Sequence, residues 1–542
     1  MNTLRSVLRE QLKKIDPKLL VFLVLLLNVK LVIKVLAIVI IYIFRPNFRF
    51  GFSLRNSRLP LFYPAVIGIA IVDAIAYGLF THQNYWLSFS MGISIWLICI
   101  LAVHQLKLFT ETLSSEKIYN TLVVFFILNA LISFAILGKI IIETGTINPY
   151  RYQGEFQKYF MSTGDYIKGI SFDTCTTNAA INSFGVLLFF RKKAWAMMLL
   201  CMIILVLTGS NLVNFLLIVC VIYLFIFKSV RSHKSVLAFA LIPMVIFWSK
   251  VSPQNTNYVT TLVEHFGGKS TNETPSAQKT QSNQPQTTPL TDEDQKAQIA
   301  KHYLDSLSGK IAKEIKSLTP EAASTVAFVP VVKKPLVPEA NIHTAPFQHK
   351  DDTDNVRKAW INFVSEKYTA APVQETSKLP GKVIAMNQTV SFLRHQPSKW
   401  ATGAGMGMFA SKLAFKTTAL NISGSYPTRF KFIDPAFSEN HLALHLSYFT
   451  KSDGLHSVVN TPNSVYDQLA GEYGLAGLLS FAFLYIGFFF RQRKSFNYGL
   501  PLLFMMCGLF FTDYWFEQLS IVLLFELLLF LDIQESNEHA GC

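Results

Sequence analysis

The segment HSVVNTPNSVYDQLAGEYGLAGLLS at 456–480 sets His456, Asn460, Asn463, Asp467 and Glu472 directly ahead of an apolar run. These residue types move protons and donate or accept hydrogen bonds. An imidazole titrates close to working pH, so His456 is the first candidate for a general base. His441 in SENHLALHLSYF is its rival, and His445 lies one helical turn further on, where one of the pair can serve packing alone. Asp467 and Glu472 can orient the base or an acceptor. Glu472 can equally brace the start of the helix, where the dipole favours a carboxylate.

Elements that would hold such residues are hydrophobic helices. Apolar residues make up 51% of the chain, Phe occurs 46 times, and long apolar runs alternate with short basic stretches. That pattern belongs to polytopic membrane proteins. Runs long enough for a hydrocarbon core lie near 61–80, 86–104, 120–142, 175–190, 194–208, 211–227, 235–249, 473–490, 498–512 and 517–532. The block 19–44 adds a helical hairpin turning near Asn28 and Lys30, or a single tilted helix. With the hairpin, the fold class is an all-α polytopic membrane protein of about twelve transmembrane helices.

Basic residues recur at alternate connections: Lys13 and Lys14, then Arg45, Arg49, Arg55 and Arg58, then Lys107 and Lys117. RKK at 191–193, the group Lys228, Arg231 and Lys234, and RQRK at 491–494 continue the series. All fall on one side if 19–44 is a hairpin, which places residues 1–18 and 533–542 in the cytoplasm. The net charge of +15 reflects these anchors, so it does not point to nucleic acid. No signal-peptide cleavage site follows the first apolar block, which reads as a retained anchor.

On this topology 19–249 and 473–532 are the membrane regions, and the long connections 143–174 and 250–472 lie outside the cytoplasm. None of the six cysteines falls in the larger loop. The loop therefore has no disulfide framework. Its insert at 269–295 is rich in Ser, Thr, Gln and Pro and is expected to stay disordered. Helical spacing appears at 297–318, 355–368 and 381–400, the last ending at Arg394 and His395 before Pro397. The acidic clusters DED at 292–294 and DDTD at 351–354 read as solvated charge, so no metal is expected.

The helix ending in HQPSKWATGAGMGMF, the long outer loop, and NSVYDQLAGEYGLAGLL entering a helix together resemble the O-antigen ligase and polymerase family. The helix pair joined by LTGSN at 207–211 and the smaller loop from YRYQGEF to KGISFDTCTTNAAI also fit. Members often carry Ser-Arg at the tip of that helix pair, where this chain has Ser210 and Asn211. They often carry His-Asn before the Glu-x-Gly, where this chain has Pro462 and Asn463.

The resemblance implies a GT-C-like membrane architecture with one large periplasmic loop domain in the bacterial inner membrane. It implies transfer of a glycan from an undecaprenyl diphosphate carrier to an acceptor hydroxyl on the periplasmic face, the acceptor being lipid A core, another glycan or a protein side chain. It also implies no cofactor. Cleaving the bond from an anomeric carbon to a diphosphate needs cationic donors on the leaving group and a base for the acceptor proton. Arg151, Lys168 and Arg394 are the candidate cations, and Ser210 and Asn463 are further substrate contacts. An arginine fork suits phosphate oxygens better than a lysine does. The competing class, a lipid-linked glycan transporter, would carry more charge inside its helices and inverted repeats.

Overall fold

The structure is a computed structural model that describes residues 13–151, 163–227, 242, 246–247, 379–419, 426–450, 458–493 and 496–540. Among the described residues the regular secondary structure is entirely helical. The predicted helices at 297–318 and 355–368, the insert at 269–295, the acidic clusters and the apolar run at 235–249 fall outside or almost wholly outside those residues.

The 19–44 block divides into α1 (Pro17–Leu27) and α2 (Leu31–Phe44). Asp16 starts α1 by accepting from the Leu19 amide at 2.8 Å, and Pro17 needs no partner in the first turn. Asn28 ends it, because its Oδ1 accepts from the Lys30 amide at 3.0 Å and turns the chain. The two helices pack on each other as a hairpin.

α3 (Phe62–Ala76), α4 (Tyr85–Thr112), α5 (Ser115–Thr144), α6 (Cys175–Arg191), α7 (Trp195–Leu207) and α8 (Asn211–Phe227) follow. After the larger connection come α9 (Gly381–His395), α10 (Val465–Phe490), α11 (Gly499–Leu509) and α12 (Ser520–Ala540). α4, α5 and α10 are long and apolar enough to cross a membrane; α1, α2, α3, α7, α8 and α11 are apolar but shorter. Every apolar run that the described residues cover coincides with one of these helices.

α12 is the axle. Its residues from Ile521 to Leu531 are buried on every side against α4, α5, α6 and α11. A helix apolar all round must be enclosed in this way. Two polar groups inside the bundle are held by contacts between helices: Tyr63 Oη donates to Glu526 at 2.5 Å, and Lys34 Nζ donates to the Leu26 carbonyl at 2.8 Å.

Contacts sort the connections into two ends. At one end Arg45 donates to Thr112 at 2.7 Å, Arg58 pairs with Glu111, Lys192 pairs with Glu535 at 2.6 Å, and Arg191 reaches Asn497 at 3.2 Å. Gln534 closes this end by donating to the Leu113 carbonyl at 2.8 Å. At the other, the Val29 amide of the hairpin tip donates to Ser171 at 2.9 Å, Tyr77 donates to the Ser398 carbonyl at 2.7 Å, and Asn84 donates to the Lys431 carbonyl at 3.0 Å. Among the described residues, the basic connections at 45–58, 107–117, 191–193 and 491–493 gather at the first end.

Candidate functional site

The opening motif folds around a break. α10 contains Gly474 at φ +59 and ψ −155, a backbone region essentially closed to residues with a Cβ. The break removes intrahelical partners from both sides, and the glycine-rich segment 400–405 supplies them. Ala404 and Gly405 donate their amides to the carbonyls of Gly471 at 2.8 Å and Glu472 at 3.1 Å. In return the carbonyls of Trp400 and Ala401 accept from the amides of Leu475 at 3.0 Å and Ala476 at 2.9 Å. Close approach is possible because Gly403 has no side chain; a Cβ there would lie 2.4 Å from the Glu472 carbonyl carbon.

This accounts for GAGMGMF in a way the sequence did not suggest. Its amides at 404 and 405 bind the broken helix. Glu472 belongs to the same device. It is fully buried, and its Oε1 accepts from the Phe409 amide at 3.3 Å. Lying inside α10 rather than at its start, it ties the helix to the end of the glycine-rich segment.

Beside the N-terminal half of α10 stand α9 and the segment 435–450, which contains a π turn at Ser438–Leu442. Thr389 of α9 donates to Asp467 Oδ1 at 2.5 Å and lies 3.3 Å from His441 Nε2. His441 Nε2 is 3.7 Å from the other Asp467 oxygen. With the Thr389 proton committed to Asp467, the ring donates through Nε2, and Nδ1 keeps a lone pair that meets no donor. His441 is fully buried against the Phe409 ring, with centroids 4.5 Å apart. Burial, with the neighbouring His445, pushes its pKa down to about 3, so the ring is neutral at ordinary pH. His445 is likewise lowered to about 3, by burial and then by Lys382, and stacks on Phe415.

Lys382, the second residue of α9, ties the same region together. Its Nζ donates to Thr461 Oγ1 at 3.2 Å, to the Thr512 carbonyl at 3.2 Å and to the Asn463 carbonyl. Burial lowers its pKa to about 7 against the opposing pull of Asp513 and Asp467. Asn463 Nδ2 donates to Asp513 at 3.2 Å, and Gln518 donates to the other Asp513 oxygen at 2.5 Å. Gln468 of α10 donates to Glu517 at 2.7 Å. The result is a continuous polar patch where α9, α10 and the 512–518 turn meet.

A second group surrounds the smaller outer loop. Tyr150 donates to the Leu207 carbonyl at 2.7 Å, and Gly164 packs on Thr208, so the loop sits on the tip that carries the buried Ser210. Lys168 is placed by Gly169 and Ile170: the Ile170 amide donates to Asn129 at 2.9 Å, and Asn129 donates to Asn178 at 2.9 Å. Arg151 ends a short 3-10 turn at Pro149–Arg151. The hairpin tip links the groups, since Val29 binds Ser171 while Lys34 lies 3.5 Å from Ser520, just beyond the 512–518 turn.

His441 and Asn463 therefore share one patch, Glu472 belongs to the joint beside it, Ser210 and Lys168 belong to the loop group, and Arg394 is exposed at the end of α9. His456 and the Arg151 side chain lie outside the described residues. Thr389, Lys382, Asp513 and Glu517 were missed by sequence reasoning, for they reach the patch from distant segments. A lysine and a threonine on the apolar-spaced helix 381–395 were the available signal. Among the described residues no cluster of three His, Cys, Asp or Glu forms a metal site. Comparison with family models, curated proteins and solved structures finds no match in any of the three.

Proposed function

We propose that this chain is an O-antigen ligase-like glycosyltransferase. It moves a glycan from an undecaprenyl diphosphate carrier to an acceptor hydroxyl, on lipid A core or another surface acceptor, at the periplasmic face of the bacterial inner membrane. In this reading the chain makes about twelve passes, and the end opposite the basic connections faces outward. The observation that carries it is the patch of His441, Thr389, Asp467, Lys382, Asn463 and Asp513 at that end, built around the motif that bears the family resemblance. A lipid carrier presents its diphosphate at this level while its tail stays in hydrocarbon. Cationic donors would stabilise the leaving diphosphate and an imidazole would take the acceptor proton.

A polymerase of the same family uses the same donor and adds the glycan to another carrier-linked repeat. A transporter is favoured by two specific features, the broken helix at Gly474 and the buried Lys34 and Glu526. Glu526 and Asp532 are both fully buried in α12. The deciding experiment incubates purified protein in proteoliposomes with the carrier-linked glycan, with and without lipid A core. Glycan joined to the core supports the ligase. Chain growth on the carrier indicates the polymerase, and movement of intact donor across the bilayer without transfer indicates the transporter.

A further inference from the structure

The α1–α2 hairpin carries a feature at the end remote from the polar patch. Between the two helices runs an open groove of about 210 Å³, lined by Val21, Phe22, Leu25, Ala37, Ile41 and Phe44 with Lys18 at its mouth. The rim is accessible from the outside, since Val21 is 52% and Phe44 62% exposed. Its floor is closed by Phe22, Ala37 and Ile41, which belong to the main core.

The ends of this groove differ in charge. Where α1 begins and α2 finishes, Lys13, Lys14 and Lys18 are exposed, Lys18 Nζ lies 5.4 Å from the Phe44 ring centroid, and Arg45 follows directly. This is the end at which Arg45 binds Thr112 and the Asp16 amide binds Thr121 at 2.9 Å. The far end is the Asn28–Lys30 turn against Ser171. An apolar channel with Lys18 in its lining, and Lys13 and Lys14 exposed just ahead of it in the chain, matches a molecule with a hydrocarbon tail and an anionic head.

We infer that the hairpin groove binds one acyl chain of an anionic phospholipid, with the lipid phosphate held by Lys13, Lys14 and Lys18. The groove supplies van der Waals packing for the tail, and the lysines supply headgroup selectivity. The bound head lies at the end opposite His441, so this lipid is distinct from the proposed glycan donor. The site is independent of the proposed chemistry.

The test is native mass spectrometry of the detergent-purified full chain, titrated with phosphatidylglycerol and with phosphatidylcholine of equal chain length. Phosphatidylglycerol should bind more tightly, and Lys13→Gln, Lys14→Gln and Lys18→Gln should each weaken it about fivefold while leaving phosphatidylcholine unchanged. Val21→Trp, at an exposed rim position, should weaken both lipids by filling the channel. Equal binding of the two lipids, or lysine variants that bind phosphatidylglycerol like wild type, would overturn the proposal. So would unchanged binding by Val21→Trp, or displacement by tail-free glycerophosphoglycerol at the same concentration, since the head alone would then account for binding.

Discussion

The amide of Leu475 donates to the carbonyl of Trp400 at 3.0 Å, joining two residues from opposite sides of the 435–450 segment. A residue that in an unbroken helix would donate to its own preceding turn instead donates to a different segment. A transmembrane helix can be interrupted only when other groups take up the freed backbone, and here 400–405 does so on both sides of Gly474. The polar patch thus rests on a rigid joint.

The joint predicts which glycines matter. Gly474→Ala places a Cβ 2.6 Å from the Gly403 amide nitrogen and forces a backbone region that costs about 1–3 kcal/mol by itself. Gly403→Ala, at φ +84, meets the Glu472 carbonyl carbon. Gly138, inside α5, has open space where its Cβ would stand, and Gly138→Ala should be neutral or stabilising by up to about 1 kcal/mol. Thermal unfolding in detergent should rank the variants in that order, and a Gly474→Ala midpoint equal to wild type would show that the joint is dispensable.

Acid should loosen the same region. Both His441 and His445 have folded pKa values of about 3 against an ordinary 6.5. A group lowered in the folded state binds its proton first in the unfolded chain. Its contribution is therefore fully present above pH 6.5 and is lost as pH falls toward 3, by about 1.4 kcal/mol per pH unit for each histidine. Asp434, at the head of the 435–450 segment, is raised to about 6 by burial and gains stability as pH falls, so the histidine contribution is read by difference: below pH 6.5 His441→Gln should lose less stability per pH unit than wild type. An identical slope in the variant would mean that His441 titrates normally.

Much of this architecture was legible in the chain, and the illegible parts share a cause. Local signals worked: the hairpin turn at Asn28–Lys30, the end of α9 at His395 and the apolar helices all follow from periodicity and breakers within one segment. The break in α10 was not legible, because GEYGLAGLL reads as continuous helix until its partner at 400–405 is known. Lys382 and Asp513 were missed for the same reason, since each is an ordinary charged residue until the fold brings α9 to the 512–518 turn. Glu472 was assigned either bracing or chemistry, and only its contact with the Phe409 amide identifies what it holds.

Topology is testable at described positions. Ser398 is exposed beside Tyr77 at one end of the bundle, and Gln492 is exposed at the end that gathers the basic residues. In intact cells Ser398→Cys should react with a membrane-impermeant thiol reagent, and Gln492→Cys should react only after the inner membrane is permeabilised. The reverse pattern would invert the proposed orientation and place the patch in the cytoplasm.

The choice of base can be made by comparing two histidines that differ in access. His441 has its Nε2 committed to Thr389 and Asp467 and shows no exposed surface, so neither acceptor nor water reaches it without movement of the 435–450 segment. A base for an acceptor hydroxyl must lie within hydrogen-bond reach of that hydroxyl. His456, seven residues before Asn463 in the motif that leads into α10, is the first candidate from the sequence. His456→Ala should therefore cut glycan transfer by about 10²–10⁴-fold while leaving membrane insertion and unfolding midpoint intact. Thr389→Val should instead cost about 1–3 kcal/mol of stability, because it strands the buried Asp467 oxygen. Arg394→Lys should retain more transfer than Arg394→Ala, since charge survives while the fork is lost. If purified His456→Ala transfers glycan at the wild-type rate and His441→Ala does not, the base is His441, and the 435–450 segment must open during turnover.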